Sequence, residues 1–252
     1  MRVEVVTSFS PDGYALYGRA CVQSFVQHWP FHLTAYGDAP MRITGAVTTK
    51  LTRKIEGWTD VSRGLPFCHP RAEKPESYLW NAQRYAVKPF VWHAAAKKLG
   101  TGILVWLDAD TVTTADVPAD LPEAMLGGAD VAYLGRGAMH PENGCVVFRL
   151  PEAWPLVAWC RAAYEKRFYR HWKDGWTDCH ALKHGLKAVR TRARDLTSDK
   201  HDGEWRSYID AFALSPLGPY VIHLKGQRQK REGRLIPLDE LKPTWIDRPD
   251  DE

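Results

Sequence analysis

Between Gly102 and Thr111 the chain runs Gly-Ile-Leu-Val-Trp-Leu-Asp-Ala-Asp-Thr. Five apolar residues in a row, Ile103 to Leu107, predict a strand with no polar face, the kind found inside a parallel sheet covered on both sides. Two carboxylates, Asp108 and Asp110, follow at its C-terminal edge. Residues two apart on an extended chain project to one side, so both acids can approach one point. Paired negative charges repel unless a cation stands between them. In open α/β sheets the ligand crevice lies beyond the carboxyl ends of the strands. A hard divalent ion, with phosphates completing its shell, would account for the pair. The plainer reading is that Asp108 ends the strand and Asp110 opens a turn or caps a helix. The rest of the chain has to choose.

The N-terminal third supports an α/β domain. Val3 to Thr7 predicts a first strand, and Ser8 to Gly13 a turn-rich loop. A helix is expected from about 14 to 28, with Leu16, Ala20, Phe25 and Trp29 at its apolar positions and Pro30 after it; 31–36 is a second strand. Neither a GxGxxG fingerprint nor a GxxxxGK[ST] loop occurs, which disfavours dinucleotide enzymes and P-loop NTPases. Residues 40–77 are broken by Gly57, Gly64, Pro66, Pro70 and Pro75, and predict edge strands and a long loop. A helix over 78–99 follows, which Pro89 either kinks or restarts; it carries Arg84 and Lys88 four residues apart.

Beyond the acids, a short helix (118–126), a strand (130–134), a tight turn (140–144) and a strand (145–148) are expected. A helix over 152–169 comes next, then one opening at Trp176-Thr177-Asp178 with Thr177 or Asp178 as N-cap. Residues 187–192 look strand-like and 197–205 like a polar loop. Residues 220–224 predict the last core strand, leading into Lys225-Gly226-Gln227-Arg228. No linker divides the chain, so one domain is expected over 1–252. Its parts would be an N-terminal half (about 1–115), a second half (about 116–235) and a peripheral tail (236–252).

Composition narrows the class. The 252 residues, 44% hydrophobic and 25% charged, suit a globular domain, and no apolar run has the length of a membrane span. The N-terminus opens directly on a strand, so no signal peptide is expected. Five cysteines without paired spacing point to free thiols and a cytoplasmic location. Cys68-His69 and Cys179-His180 lack the partners a zinc site needs.

An ordered set of short islands then becomes informative: Ser8-Phe9, Arg84 and Lys88, Asp108-Ala109-Asp110, Glu142-Asn143-Gly144, Trp176-Thr177-Asp178, and His223-Leu224-Lys225-Gly226. Taken together this resembles the glycosyltransferases of the GT-A fold, most closely the family-8, glycogenin-like pattern. The resemblance spans roughly residues 1–230 and implies a Rossmann-like, mixed but mostly parallel sheet flanked by helices. It implies Mn²⁺ or Mg²⁺ on Asp108, Asp110 and His223, bridging the diphosphate of a sugar nucleotide, a UDP-sugar above all. Phosphate contacts would come from Gly226 with Lys225 or Arg228; the family's late lysine is here Gln229. The nucleotide would lie over Ser8, Phe9 and Arg84, with Lys88 and Asn143 also at the donor. The Asn-x-Gly strand opening is shortened to Asn143-Gly144. The family's Asp-Gln pair becomes Asp178-Cys179, so only Asp178 carries over, to face the sugar. Retention of configuration follows from the resemblance alone. Glu142 is a second candidate acid, with a turn acid as its plainer reading.

The chemistry agrees: a diphosphate leaving group gathers charge that a divalent ion with Lys or Arg stabilises. The acceptor is unidentified. Arg161, Lys166, Arg167, Arg170 and Lys173 alternate with Tyr164, Phe168, Tyr169 and Trp172. Such a stretch suits a solvated helix face, or a surface for a polyanion such as DNA or an anionic glycan. A non-catalytic nucleic-acid-binding protein would also use it, but leaves the acids and His223 unexplained. A nucleotidyltransferase would want a richer glycine loop after the first strand.

Overall fold

The computed structural model describes residues 1–39, 47–66, 80–137, 139–197 and 210–224. A seven-stranded sheet carries the molecule, in the order β3-β2-β1-β4-β7-β6-β8. The strands are β1 (Val3–Phe9), β2 (His32–Gly37), β3 (Val47–Leu51), β4 (Gly102–Leu107), β6 (Val131–Leu134), β7 (Glu142–Leu150) and β8 (Ala193–Asp195). The β1, β2, β3 and β4 strands run parallel, β7 is antiparallel to both β4 and β6, and β8 is parallel to β6. This is the mixed, mostly parallel α/β sheet that the GT-A resemblance implies, with the two-faced apolar run Ile103 to Leu107 inside it.

β4 lies at the centre of the sheet, and every one of its residues is buried. Its side chains alternate between two cores. Leu104 and Trp106 pack with helices α4 (Ala82–Leu99), α6 (Trp154–Glu165) and α7 (Asp178–Ala188). Ile103, Val105 and Leu107 face α2 (Arg19–His28) and α5 (Leu121–Leu126). Burying such a side chain contributes roughly 1.5–3 kcal/mol, so a strand with two apolar faces is pinned in register from both sides. Gly102 starts it at φ +126°, where an added Cβ would fall 2.4 Å from the Arg2 carbonyl oxygen, so only glycine lets β1 approach so closely.

Several boundaries differ from the sequence expectation. The first helix begins as one turn, α1 (Pro11–Gly13), passes through a π-helical stretch (Tyr14–Gly18) and only then becomes α2. Leu16 there turns outward, while Phe25 and Trp29 are buried as the spacing predicts, together with Cys21 and Val22. Within residues 40–77 the described parts hold β3 and α3 (Trp58–Arg63). Pro89 does not break α4, which runs on to Gly100. Residues 187 and 188 still belong to α7, and the strand forms later, as β8.

The largest difference is at the end. Residues 221–223 form β9 (Val221–His223), but it does not join the main sheet. It pairs antiparallel with β5 (Thr111–Thr113), the short strand that follows the acidic turn, in a separate two-stranded ribbon. β5 is itself tied to α2, by Trp29 Nε1 donating to Thr113 Oγ1 at 2.9 Å and Thr113 N donating to Ser24 Oγ at 3.0 Å.

Candidate active site

The C-terminal ends of β1 and β4 share one sheet edge with the N-terminal end of antiparallel β7. There the chain leaves β4 in a turn rather than continuing extended. Three hydrogen bonds fix the turn: Asp108 N to Gly144 O at 2.7 Å, Thr111 Oγ1 to Asp108 O at 2.7 Å, and Leu224 N to Asp110 O at 2.8 Å. Asp108 keeps the Trp106 side of the sheet, toward α4 and α7. Asp110 is turned toward β9.

On the β9 side the register sets Thr111 opposite His223, so Asp110 and His223 meet. His223 Nε2 lies 3.4 Å from Asp110 Oδ1, and Nδ1 lies 3.8 Å from Asp210 Oδ1. Burial pulls the imidazole's pKa down, but Asp110, with Asp210 and Glu142, carries it up to about 10. One donor atom from each of Asp108, Asp110 and His223 falls within 4.8 Å of the others. The ring of Phe212 backs His223 with centroids 4.8 Å apart. Phe212 fits only because residue 144 is glycine: a Cβ there would stand 2.4 Å from its Cε2.

On the α4 side, Lys88 occupies the centre. Its Nζ lies 2.8 Å from Asp108 Oδ1, 3.1 Å from Asp108 Oδ2 and 2.9 Å from Asp178 Oδ2, and it donates to Asn143 O at 3.3 Å. The contact with Asp178 is that of an ion pair rather than a directed hydrogen bond. Trp106 Nε1 adds a 2.8 Å bond to Asp108 Oδ1. Burial opposes the lysine's charge, yet Asp108 and Asp178 raise its pKa well above the usual value. Burial raises Asp108 to about 6; Lys88 pulls it down while Asp110 and Asp178 push it up.

Asp178 is the first residue of α7 and 1% exposed, with Thr177 as the N-cap. Its side chain faces Lys88 instead of closing the helix end, and Thr177 Oγ1 is itself taken by His180 Nδ1 at 2.8 Å. A buried carboxylate at a helix N-terminus also gains from the helix dipole.

The other sequence candidates fall as follows. Ser8, half-buried, and Phe9, packed on Tyr14 with centroids 5.1 Å apart, end β1 beside the acidic turn. Arg84 is exposed, one turn from Lys88, with its guanidinium over the Tyr85 ring. Glu142 and Asn143 lie on β7 rather than in a turn, because antiparallel pairing with β6 carries the strand as far as Glu142, opposite Leu134. Glu142 faces Arg136 at 3.5 Å. Asn143 is fully buried, and among the described residues its side-chain amide has no hydrogen-bond partner. Lys225, Gly226 and Arg228 lie outside the described residues. Sequence reading missed Trp106, Asp210 and Phe212. Trp106, two residues before Asp108 on one strand face, was there to be noticed.

The basic-aromatic stretch divides. Tyr164, Tyr169, Trp172 and Trp176 are buried in the core, while Lys166, Arg167, Arg170 and Lys173 stay exposed. Those rings therefore serve packing and offer no stacking platform for bases. Among the described residues no helix is long and apolar enough to cross a membrane.

Among solved structures, the WbbM bifunctional glycosyltransferase superposes with a TM-score of 0.54 at 18% identity, over 89% of this chain and 46% of that one. The chain thus spans about half of that protein's length. Mouse xyloside xylosyltransferase 1 gives a TM-score of 0.51 at 10% identity, over 78% of this chain and 85% of that one. The fold is one that solved glycosyltransferases share. At these identities the likeness concerns the fold, and the chemistry has to be argued from the side chains. No protein-family model and no curated protein matches the sequence.

Proposed function

We propose that the protein is a metal-dependent glycosyltransferase that moves a sugar from a nucleoside-diphosphate donor, a UDP-sugar by preference. The observation that carries this reading is one juxtaposition at the sheet's C-terminal edge. A two-carboxylate, one-imidazole cluster (Asp108, Asp110, His223) adjoins a buried Lys88–Asp178 pair. The oxygen and nitrogen donors suit Mn²⁺ or Mg²⁺, and Asp110, Asp210 and Phe212 hold the His223 ring in place. When bound, the ion would offset the charge that the diphosphate gathers as the glycosidic bond breaks.

The protein's own groups have separable tasks. Lys88 holds Asp108 and Asp178 as carboxylates in a buried site. Asp178, freed from capping, is the carboxylate assigned to the sugar, where it would stabilise positive charge at the anomeric carbon. Asn143, with an unused buried amide, fits a contact to a sugar hydroxyl. Ser8, Phe9 and Arg84 border the space expected for the nucleotide, and Lys225, Gly226 and Arg228, next after His223 and Leu224 in the sequence, are assigned to the phosphates on the family-8 resemblance. Glu142 is held in reserve as a second acid. Retention of configuration rests on the family-8 resemblance. So does the split into a donor half (1–115) and an acceptor half (116–235), and a cytoplasmic setting fits the free Cys21, Cys145, Cys160 and Cys179. The exposed Lys166, Arg167, Arg170 and Lys173 would favour a polyanionic acceptor, an anionic glycan or DNA.

The test uses melting temperature and donor turnover together. UDP should raise the melting temperature only with Mn²⁺ or Mg²⁺ present, and Asp110→Asn should abolish that rise with the metal-free melt preserved. Asp178→Asn should keep the rise and lose donor turnover by orders of magnitude. A metal-independent rise, or an active Asp178→Asn, would refute the assignment.

A further inference from the structure

Away from that centre, a cavity of about 460 Å³ opens between β3, the 3₁₀ turn Thr52–Lys54, α4 and α6. Small-molecule sites commonly measure roughly 300–1,000 Å³. Tyr36, Leu51, Ile55 and Ala94 give it an apolar floor, and Lys50, Lys54, Lys97 and Arg161 supply positive charge. Two of those cations are already matched. Lys97 lies 2.9 Å from Glu56, and Arg161 lies 2.7 Å from Glu165.

Lys50 and Lys54 are not. Among the described residues neither forms an ion pair; Lys50 Nζ donates only to Tyr36 Oη, at 3.4 Å, and sits over that ring. Burial and the neighbouring Lys98 pull the Lys50 pKa down, against a weaker pull upward from Glu4. His93 adds no charge at neutral pH, since burial and Arg161 hold it near 4. Two unmatched ammonium groups, one half-buried, thus face an apolar floor, an arrangement that a bound anion relieves.

We propose that this cavity binds a phosphomonoester on a sugar-sized body, the phosphate held by Lys50 and Lys54 and the body resting on Tyr36, Leu51 and Ile55. A phosphomonoester carries about −1.5 to −2 at neutral pH and so matches two ammonium groups, where a carboxylate matches one. None of the lining residues belongs to the Asp108–Asp178–His223 centre, so the site stands or falls apart from the transferase reading.

Calorimetric titration of the full chain in chelator and low salt, with glucose 6-phosphate, inorganic phosphate, glucuronate and glucose, tests it. Glucose 6-phosphate should bind most tightly. Lys50→Ala and Lys54→Ala should each weaken it by about tenfold, the loss of one charge-assisted contact, and Asp110→Asn should leave it unchanged. Among the described residues neither lysine forms an ion pair, and Lys54 is exposed, so Lys54→Ala should melt with wild type and keeps the test open if Lys50→Ala, which gives up the Tyr36 contact, misfolds. Glucuronate binding as tightly would overturn the choice of phosphate, and inorganic phosphate binding as tightly would overturn the sugar-sized body. No binding, or binding unchanged in both lysine variants, would overturn the site.

Discussion

Replacing Lys88 by methionine removes the ammonium that lies 2.8 Å from Asp108 and 2.9 Å from Asp178 while keeping most of the stem's volume. Asp178 is 1% exposed, so water cannot take over the ammonium's place. Removing one partner of a buried pair costs roughly 3–5 kcal/mol, well above the ~1.5 kcal/mol ceiling for a volume-conserving swap. The sign with pH follows from Asp108. Its pKa in the folded protein, about 6, exceeds its ordinary 3.8. Its contribution to stability is therefore fully present below the unfolded value and lost as pH rises through the folded one. Without Lys88, which pulls this pKa down, that window moves upward. Urea unfolding of the metal-free variant should thus show a smaller deficit near pH 5, where Asp108 is protonated and only Asp178 has lost a partner it needs, and the full ~3–5 kcal/mol near pH 8. A deficit below about 1 kcal/mol near pH 8, or an equal one at both pH values, would refute the bridging role.

Two further perturbations probe the surroundings. Gly144→Ala should cost roughly 1–3 kcal/mol by overpacking, because the new Cβ falls 2.4 Å from Phe212; it should also weaken Mn²⁺ binding by calorimetry, since Phe212 backs His223. His93 is held near 4 by burial and Arg161, below the ordinary 6.5, so the stability it contributes is present above about 6.5 and lost as pH falls through about 4, a slope opposite in sign to that of Asp108. His93→Gln should flatten that slope in melting curves, and an unchanged slope would put the acid lability elsewhere.

What the sequence disclosed follows a physical divide. β4 was legible because burial on both faces writes an unbroken apolar run, and Asp108 and Asp110 because charge at the end of such a run is costly unless it has a use. Helix ends at Gly100 and near Asp178 were legible from local chemistry. The π-helical stretch at Tyr14–Gly18 was not: it rotates the helix face, and Leu16 has the right spacing for a regular helix that does not form there. Tyr164, Tyr169, Trp172 and Trp176 misled for a related reason. Alternation of cations and aromatics is the pattern of a stacking surface, and equally of an amphipathic segment whose aromatics turn inward. Only packing against α4 and α7 separates the two.

The cluster of Asp108, Asp110 and His223 shows why pairing matters more than spacing at this centre. Two acids separated by one residue do converge, but through a turn, with Asp108 drawn to Lys88 and Asp110 to His223. The ribbon of β5 and β9 brings His223 there from over a hundred residues away, and no periodicity near Asp110 announces a three-residue strand. In the ligand-free centre the carboxylates of Asp108, Asp110 and Asp178 are balanced by Lys88 and by His223, which holds its proton up to about 10. An imidazole that ligates a cation must first give up that proton. On the proposed reading, a divalent ion held by Asp108, Asp110 and His223 would replace that single positive charge with a double one, while Lys88 stays with Asp108 and Asp178. The added charge would fall on the Asp110–His223 side, which would draw a diphosphate toward β9 and leave the sugar to Asp178 at the start of α7.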